Sequence, residues 1–420
     1  TDLECLEKSK VPLNVGALVP HGALRLSVSR AQNRGLTFEE QKSLKELLSV
    51  SLQQGAFGLS FGLLYPPGLF TKTAEIAELA KVVAKFDGYV AFHQRSASPE
   101  VILHAVEEIV QVGKESGARV HHSHDHVQGR RAWELVDPVL RIQNEARQSG
   151  IQYTGDVIPY TAVTTTMLAL YPAWALEGGV KGFLQRARDP EQRRRMRLFM
   201  EKAVPRWPPW EGEGPATNLL RDCGWESVVV STVGSEKNRS FEGLSAPELG
   251  RLTGKNPFDA ITDLLLEEEG KVGMRFWGIS GDAFEDSPLR KFLSDPFHAV
   301  ISDAWDIGRG KPHCGLSGAF PRFLGKYVRK GKLLSLEEGI RKITSLPAAI
   351  LGLKDRGIVK EGAYADLVVF DSERIEDKST FESPRRSPEG IVHVFVNGRL
   401  VVSHGKIVSD EAGKILRHGS

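Results

Sequence analysis

The chain has 420 residues, and its 55 Lys and Arg against 53 Asp and Glu leave a formal net charge of +2. With 41% hydrophobic and 26% charged residues, it has the composition of a folded globular protein, which excludes wholesale disorder. The near-zero charge argues against a nucleic-acid partner, and no apolar run approaches the roughly 20 residues of a membrane span.

Cysteine usage bears on the compartment. Cys5, Cys223 and Cys314 are far apart and odd in number, which argues against a disulfide framework and favours a reducing compartment. The first 20 residues show no basic segment followed by an apolar core, so no signal peptide is predicted. We therefore expect a cytoplasmic protein.

The first half of the chain repeats one pattern of helix, glycine, short apolar strand and polar tip. Thr37 with Glu40 forms a predicted capping box, and the helix that it starts ends near Gly55, before a strand at 56–60. A second helix is followed by a strand at 89–92 whose tip is His93-Gln94-Arg95. Each cycle is typical of a βα unit.

Three further strands complete the pattern. A helix from Val101 ends at Gly117, and a short strand then leads into the polar tip 121–126. A helix over 132–149 precedes a strand at 151–160, and a late strand at 297–301 ends at Ser302-Asp303. The polar side chains thus cluster where strands end.

Strands that alternate with helices predict an α/β fold with a parallel sheet. Because the polar residues follow the strands, we predict a (β/α)8 TIM-type barrel over residues 1–350, with its active site at the carboxyl ends of the strands. The rival doubly wound sheet usually carries a GxGxxG loop, and the chain has none. Residues 351–420, with a hairpin turn at Asn397-Gly398, predict the C-terminal part of a small β domain.

Residues 186–216 interrupt the pattern with a basic run and a patch of Trp and Pro. They are interpreted as a surface helix with a loop excursion, or alternatively as a lid over the site.

The histidine cluster after residue 120 is the most unusual local feature. In a strand, His122, His124 and His126 share a face and His121 points the other way. Neutral imidazoles on one face suit a first-row divalent metal. The alternative is a set of loop histidines bound to backbone groups.

Other candidate functional residues lie at or near the ends of the other predicted strands. Asp303 is either a helix N-cap or a general base acting on a metal-bound water. Arg95, which shares a strand face with His93, suits either a carboxylate clamp or a structural salt bridge. His313 is a candidate lid or substrate ligand, and His21 is a candidate to face the site. The chain has no HExxH or CxxC motif.

Several segments between about residues 12 and 402 together resemble the N-acyl-D-amino-acid deacylases (D-aminoacylases) of the amidohydrolase superfamily. The segments are 14–25, 55–68, Ser123-His124, 156–160, Ser302-Asp303 with His313, 320–329, 355–357, 362–371 and 390–398.

The resemblance implies a metal-dependent amidohydrolase, a barrel with a small β sandwich, that cleaves the amide of N-acyl-D-amino acids. It implies that His124 is a zinc ligand and that Asp303 is the acid/base. We add His122 as a metal ligand, expect one or two zinc ions, and expect a small-molecule substrate. The predicted substrate-binding residues are His93, Arg95, Tyr160, His313 and Arg322.

The chain departs from the family at its start. The family begins with a strand carrying a His-x-His pair and a second strand carrying a bridging Cys, and neither pattern is found here. We expect both strands, and half of the sandwich, to be absent from these residues, which favours a complementing N-terminal chain or a homo-oligomer as partner. Two alternatives stay open: an amidohydrolase acting on another C–N bond, and a non-catalytic relative with a degraded metal site.

Overall fold

A sheet of six parallel strands organises the computed structural model, which describes residues 2–29, 34–209 and 215–419. Its strand order is β1-β2-β3-β4-β5-β9, and every neighbouring pair is parallel. Within the described ranges the sheet is open, with β1 and β9 at its edges. The strands are β1 (Val19–Pro20), β2 (Gly58–Gly62), β3 (Tyr89–His93), β4 (Arg119–His122), β5 (Tyr153–Val157) and β9 (His298–Val300).

Helices alternate with these strands, as the sequence predicts. The predicted capping box is confirmed, because the Thr37 hydroxyl accepts the Glu40 amide and the Glu40 carboxylate accepts the Thr37 amide. Gly117 ends its helix in the left-handed conformation, with φ 69°. In the described parts of the chain no helix has both the length and the apolar character needed to cross a bilayer.

The helix bounds are α1 (Asp2–Glu7), α2 (His21–Ser29), α3 (Phe38–Gln53), α4 (Thr73–Ala84), α5 (Ile102–Ser116), α6 (Val136–Gln148), α7 (Gly179–Arg188), α8 (Pro190–Lys202), α9 (Leu219–Cys223), α10 (Ala246–Thr253), α11 (Pro257–Glu267), α12 (Ser287–Ser294), α13 (Gly315–Arg322), α14 (Leu336–Ile343) and α15 (Ser345–Leu351). A π-helix, Phe323–Lys330, continues α13.

The main core lies between the parallel sheet and its helices. Leu48 of α3 and Ile76 of α4 pack in one buried cluster with Val90 and Phe92 of β3. Burying apolar side chains of this size contributes about 1.5–3 kcal/mol each, so the apolar helix stripes stabilise the sheet that carries the polar strand tips.

A second unit, residues 162–279, is inserted between β5 and β9; we call it the insertion. Its antiparallel sheet has the order β6-β8-β7, and it has its own core around Phe183, Met196 and Phe258. The surface helix predicted in 186–216 is α8, while Trp210 of the Trp/Pro patch lies outside the described residues. The strands are β6 (Ala162–Thr166), β7 (Val228–Thr232) and β8 (Gly273–Trp277).

The C-terminal region forms a four-stranded antiparallel sheet, β10-β11-β12-β13. The predicted hairpin is confirmed: Asn397 (φ 50°) and Gly398 (φ 80°) both adopt the left-handed conformation that a tight turn between β11 and β12 requires. The domain boundary after residue 350 stays a prediction. The strands are β10 (Leu367–Phe370), β11 (Ile391–Val396), β12 (Arg399–Ser403) and β13 (Lys406–Ile407).

Candidate active site

A cavity of about 270 Å³ lies where the tips of β3 and β4 meet the insertion. We call it the site cavity. It brings together three of the predicted site residues: His93, His124 and Asp303. Its other lining residues are Leu64, Tyr65, His126, Gln128, Val163, Thr164, Thr165, Leu219, Met274, Phe276, Ile279 and Trp305.

Two imidazoles form the centre of this cavity. His93 Nδ1 lies 2.9 Å from His124 Nε2, so one ring donates a hydrogen bond to the other. Parallel pairing of Phe92 with His122 sets the two strand tips side by side, and this brings the rings together. Burial lowers the pKa of His93 well below its ordinary value, and the neighbouring histidines lower it further. His93 is therefore neutral near pH 7.

His124 and Asp303 share an uncommon backbone conformation. Their φ angles are 39° and 40°, in the left-handed region that residues with a side chain adopt rarely. The Asp156 carboxylate accepts the His124 amide and also lies 2.7 Å from His121 Nε2, which holds the turn in place. Such strained residues concentrate at functional sites.

Asp303 is exposed at the cavity wall rather than buried beneath it. Even so, desolvation by the surrounding groups raises its pKa; the charge of His124 opposes the rise and that of Asp156 adds to it. The carboxyl thus holds a proton at a higher pH than an ordinary aspartate, which suits a group that both accepts and donates protons.

His122 lies apart from this cluster. Strand β4 ends at His122, so the strand alternation expected for residues 122, 124 and 126 does not continue past it. Its fully buried ring lies 3.1 Å from the Tyr153 hydroxyl and 3.3 Å from Asp125, and burial lowers its pKa to about 4. The role of His122 as a metal ligand stays a prediction, and these contacts do not support it.

The site cavity supplies some of the ligands that a zinc ion needs, but not a full set. Two imidazole nitrogens match two positions of a zinc site. Over the described ranges, however, no group of three or more His, Cys, Asp or Glu side chains is arranged to hold an ion. A zinc ion held by His93 and His124 needs further donors, such as water or groups outside the described residues.

Arg95 is fully buried in a structural ion pair, the second of its two predicted roles. Its Nε and one terminal nitrogen each lie 2.9 Å from a Glu108 oxygen, and it also donates to the Leu69 and Thr71 carbonyls. It does not line the site cavity. The pair fastens the segment after His93 to helix α5, so Arg95 supports the site from outside.

Arg95→Ala should destabilise the fold by about 3–5 kcal/mol, because it leaves the buried Glu108 carboxylate without its partner. Urea denaturation measures this loss. Arg194→Ala removes an exposed pair with Glu191 and should leave the urea midpoint unchanged. Equal midpoints for the two variants would show that the Arg95 pair contributes no stability.

Tyr160, His313 and Arg322 form a separate aromatic and cationic cluster, and none of them lines the site cavity. The Tyr160 and His313 ring centroids are 4.9 Å apart, and the Arg322 guanidinium lies 4.6 Å from the centre of the Tyr160 ring. His313 Nε2 donates to the Ala162 carbonyl at the start of the insertion, and its Nδ1 accepts the Gly315 amide. As predicted substrate-binding residues, all three remain untested.

His313 makes a pH-dependent contribution to stability. Burial lowers its pKa to about 4, so between pH 6.5 and 4 the unfolded state binds a proton that the folded state does not. Its contribution is therefore complete above pH 6.5 and falls as the pH falls towards 4. In urea titrations, His313→Gln should lose stability less steeply over this range than the wild type, whereas the exposed His104→Gln should behave like the wild type. Parallel wild-type and His313→Gln curves would contradict the assignment.

Several residues that line the site cavity are not predicted from the sequence. Tyr65 follows β2, and its hydroxyl lies 2.8 Å from the Thr165 hydroxyl of the insertion. The position of Tyr65 after a strand is a signal that could have identified it. Thr165 carries no comparable signal, because its place depends on how the insertion packs against the sheet.

Known proteins resemble this chain over nearly its whole length. The amidohydrolase family model matches residues 243–402. The chain is 29% identical over 412 residues to an N-acyl-D-glutamate deacylase of Alcaligenes xylosoxydans xylosoxydans, covering 98% of this chain and 71% of that protein. The predicted resemblance is confirmed: residues 243–402 match the amidohydrolase family, and the chain is related over nearly its whole length to the N-acyl-D-amino-acid deacylases.

Solved structures support the fold. The N-acyl-D-glutamate deacylase of Bordetella bronchiseptica, complexed with zinc and a phosphonate mimic of the tetrahedral intermediate, superposes with a TM-score of 0.79 at 24% identity, covering 99% of this chain and 74% of that one. A D-aminoacylase superposes with a TM-score of 0.77 at 26% identity and the same coverage. The fold is thus that of the D-aminoacylases, with six parallel strands in the described part of this chain.

Proposed function

We propose that the chain hydrolyses the amide bond of N-acyl-D-amino acids, with Asp303 as acid/base and zinc as cofactor. The observation that carries the proposal is the meeting of His93, His124 and Asp303 in one cavity at the strand tips. The similarity to an N-acyl-D-glutamate deacylase supports the reaction class.

The two imidazoles would hold the ion. Zinc bound there would polarise the amide carbonyl and make water a better nucleophile near neutral pH. The lowered pKa of His93 serves this role, because only a neutral imidazole has a lone pair to offer a metal.

Asp303 would carry the proton. Its carboxylate takes a proton from water as the water oxygen bonds to the carbonyl carbon, and the acid then donates that proton to the nitrogen as the C–N bond breaks. The products are a carboxylate and a free amino acid. A raised pKa favours the second transfer, since it leaves the carboxyl protonated after the first.

A panel of N-acetyl-D- and N-acetyl-L-amino acids tests the proposal. The zinc-loaded protein should release free amino acid from the D series and act at least about tenfold more slowly on the L series, a difference of about 1.4 kcal/mol in transition-state binding. No release from any member of the panel would contradict the proposed reaction. Preference for the L series would contradict the proposed substrate class.

A further inference from the structure

A second cavity, also of about 270 Å³, opens beside the site cavity on the sheet of the insertion. We call it the outer cavity. The two cavities share Thr164, Thr165 and Trp305, so they adjoin along strand β6. The remaining lining residues of the outer cavity are Thr166, Ser231, Thr232, Gly270, Lys271, Val272, Gly273, Ile307, Arg309 and Pro312.

The outer cavity has the chemistry of an anion site. Lys271 and Arg309 contribute two positive charges, and five hydroxyl-bearing residues from β6 and β7 contribute donors. Its described lining includes no Asp or Glu. The Lys271 ammonium lies 3.5 Å from the exposed Glu269 carboxylate, and Arg309 donates to the Gly234 carbonyl, so neither cation is buried in a tight ion pair.

The site cavity has the opposite character. None of its described lining residues is Lys or Arg, and its wall carries the Asp303 carboxyl together with apolar side chains such as Met274 and Phe276. A carboxylate placed there would meet no lysine or arginine and would be repelled by an ionised Asp303. The apolar wall suits an uncharged part of a ligand instead.

We propose that the outer cavity binds the carboxylate of the substrate, through Lys271 and Arg309, while the scissile amide lies beside Asp303. This assignment rests on the proposed hydrolase function for the identity of the ligand. It defines the substrate as a carboxylate-bearing amide whose anionic end extends across Thr165 and Trp305.

The double variant Lys271→Gln/Arg309→Gln tests the assignment. With N-acetyl-D-leucine as substrate, KM should rise at least about tenfold while kcat stays within about threefold, because the lost contacts lie away from the reacting atoms. With N-acetyl-D-leucinamide, which lacks the carboxylate, KM should not change. The control Lys202→Gln removes an exposed charge outside both cavities and should behave as wild type. Equal effects of the double variant on acid and amide would overturn the assignment.

A binding measurement tests the carboxylate site independently of hydrolysis. Trp305 lines both cavities, so its fluorescence can report ligand without turnover. N-acetyl-D-leucine should bind the wild type at least about tenfold more tightly than the amide, and the double variant should lose that difference. If the difference is present in a protein without hydrolytic activity, the carboxylate site stands and the proposed function fails. If the acid binds no better than the amide, the carboxylate site fails whatever the activity.

Discussion

Asp303→Asn should lower the rate of amide hydrolysis by about 10²–10⁴-fold and leave the fold intact. An asparagine amide keeps the shape of the carboxyl but neither takes a proton from water nor passes one to the leaving amine. Asparagine also tolerates the left-handed conformation that residue 303 adopts, with φ 40°, so the loop should hold its position. Steady-state kcat with N-acetyl-D-leucine measures the effect.

Asp306→Asn is the matched control. Asp306 lies on the same loop and pairs with Arg385 but does not line the site cavity. It should keep kcat within about threefold of wild type, as expected for a surface charge. Zinc content should be equal in the wild type and both variants, since Asp303 is assigned to proton transfer rather than to the metal. Wild-type turnover in Asp303→Asn would show that another group is the acid/base.

His124→Asn should cost at least about 100-fold in zinc affinity and remove turnover with it. Changes to residues that merely orient a metal ligand already cost 10–100-fold, and a nitrogen of the His124 ring faces the His93 ring in the site cavity. Asparagine is again compatible with the left-handed backbone, here with φ 39°. Competition with a zinc chelator measures the affinity.

Three further variants make this test specific. His93→Asn should behave like His124→Asn, whereas the exposed His104→Asn should keep its zinc. His122→Asn tests whether His122 is a metal ligand or a structural residue. Its contacts with Tyr153 and Asp125 predict that the variant changes stability and retains its zinc affinity. Loss of zinc from His122→Asn alone would mean that the metal lies on the other side of β4.

The repeating βα pattern was predictable because its signals are local. A capping box at Thr37, a left-handed glycine at 117 and the Asn397-Gly398 turn each act within a few residues. They mark where elements begin and end, and apolar periodicity supplies the rest. The parallel sheet follows from these signals without knowledge of distant contacts.

The insertion sheet was not predictable in the same way. Strand β6 pairs with β8, so Ala162 lies opposite Trp277 more than 100 residues later, with five helices among the described residues between them. Nothing near Thr164 or Thr165 in the sequence indicates that they line a cavity. Their place depends on long-range packing, as does the outer cavity.

The candidate site was predictable only in part. The sequence places His93 and His124 at the ends of successive predicted strands, but the prediction for His93 is substrate binding rather than metal binding. The assumption that β4 runs on to residue 126 also fails, because the chain turns at His124 into the left-handed conformation. Single-residue backbone geometry of this kind leaves no periodic signal.

Zinc anomalous scattering from crystals of the wild-type protein tests the central claim most directly. The claim is that His93, His124 and Asp303 form one metal-dependent hydrolytic centre. We predict a single strong peak in the site cavity, bonded to the His93 and His124 imidazoles and facing Asp303. A peak bonded to His122, or a zinc-soaked crystal without a peak in the cavity, would contradict the claim.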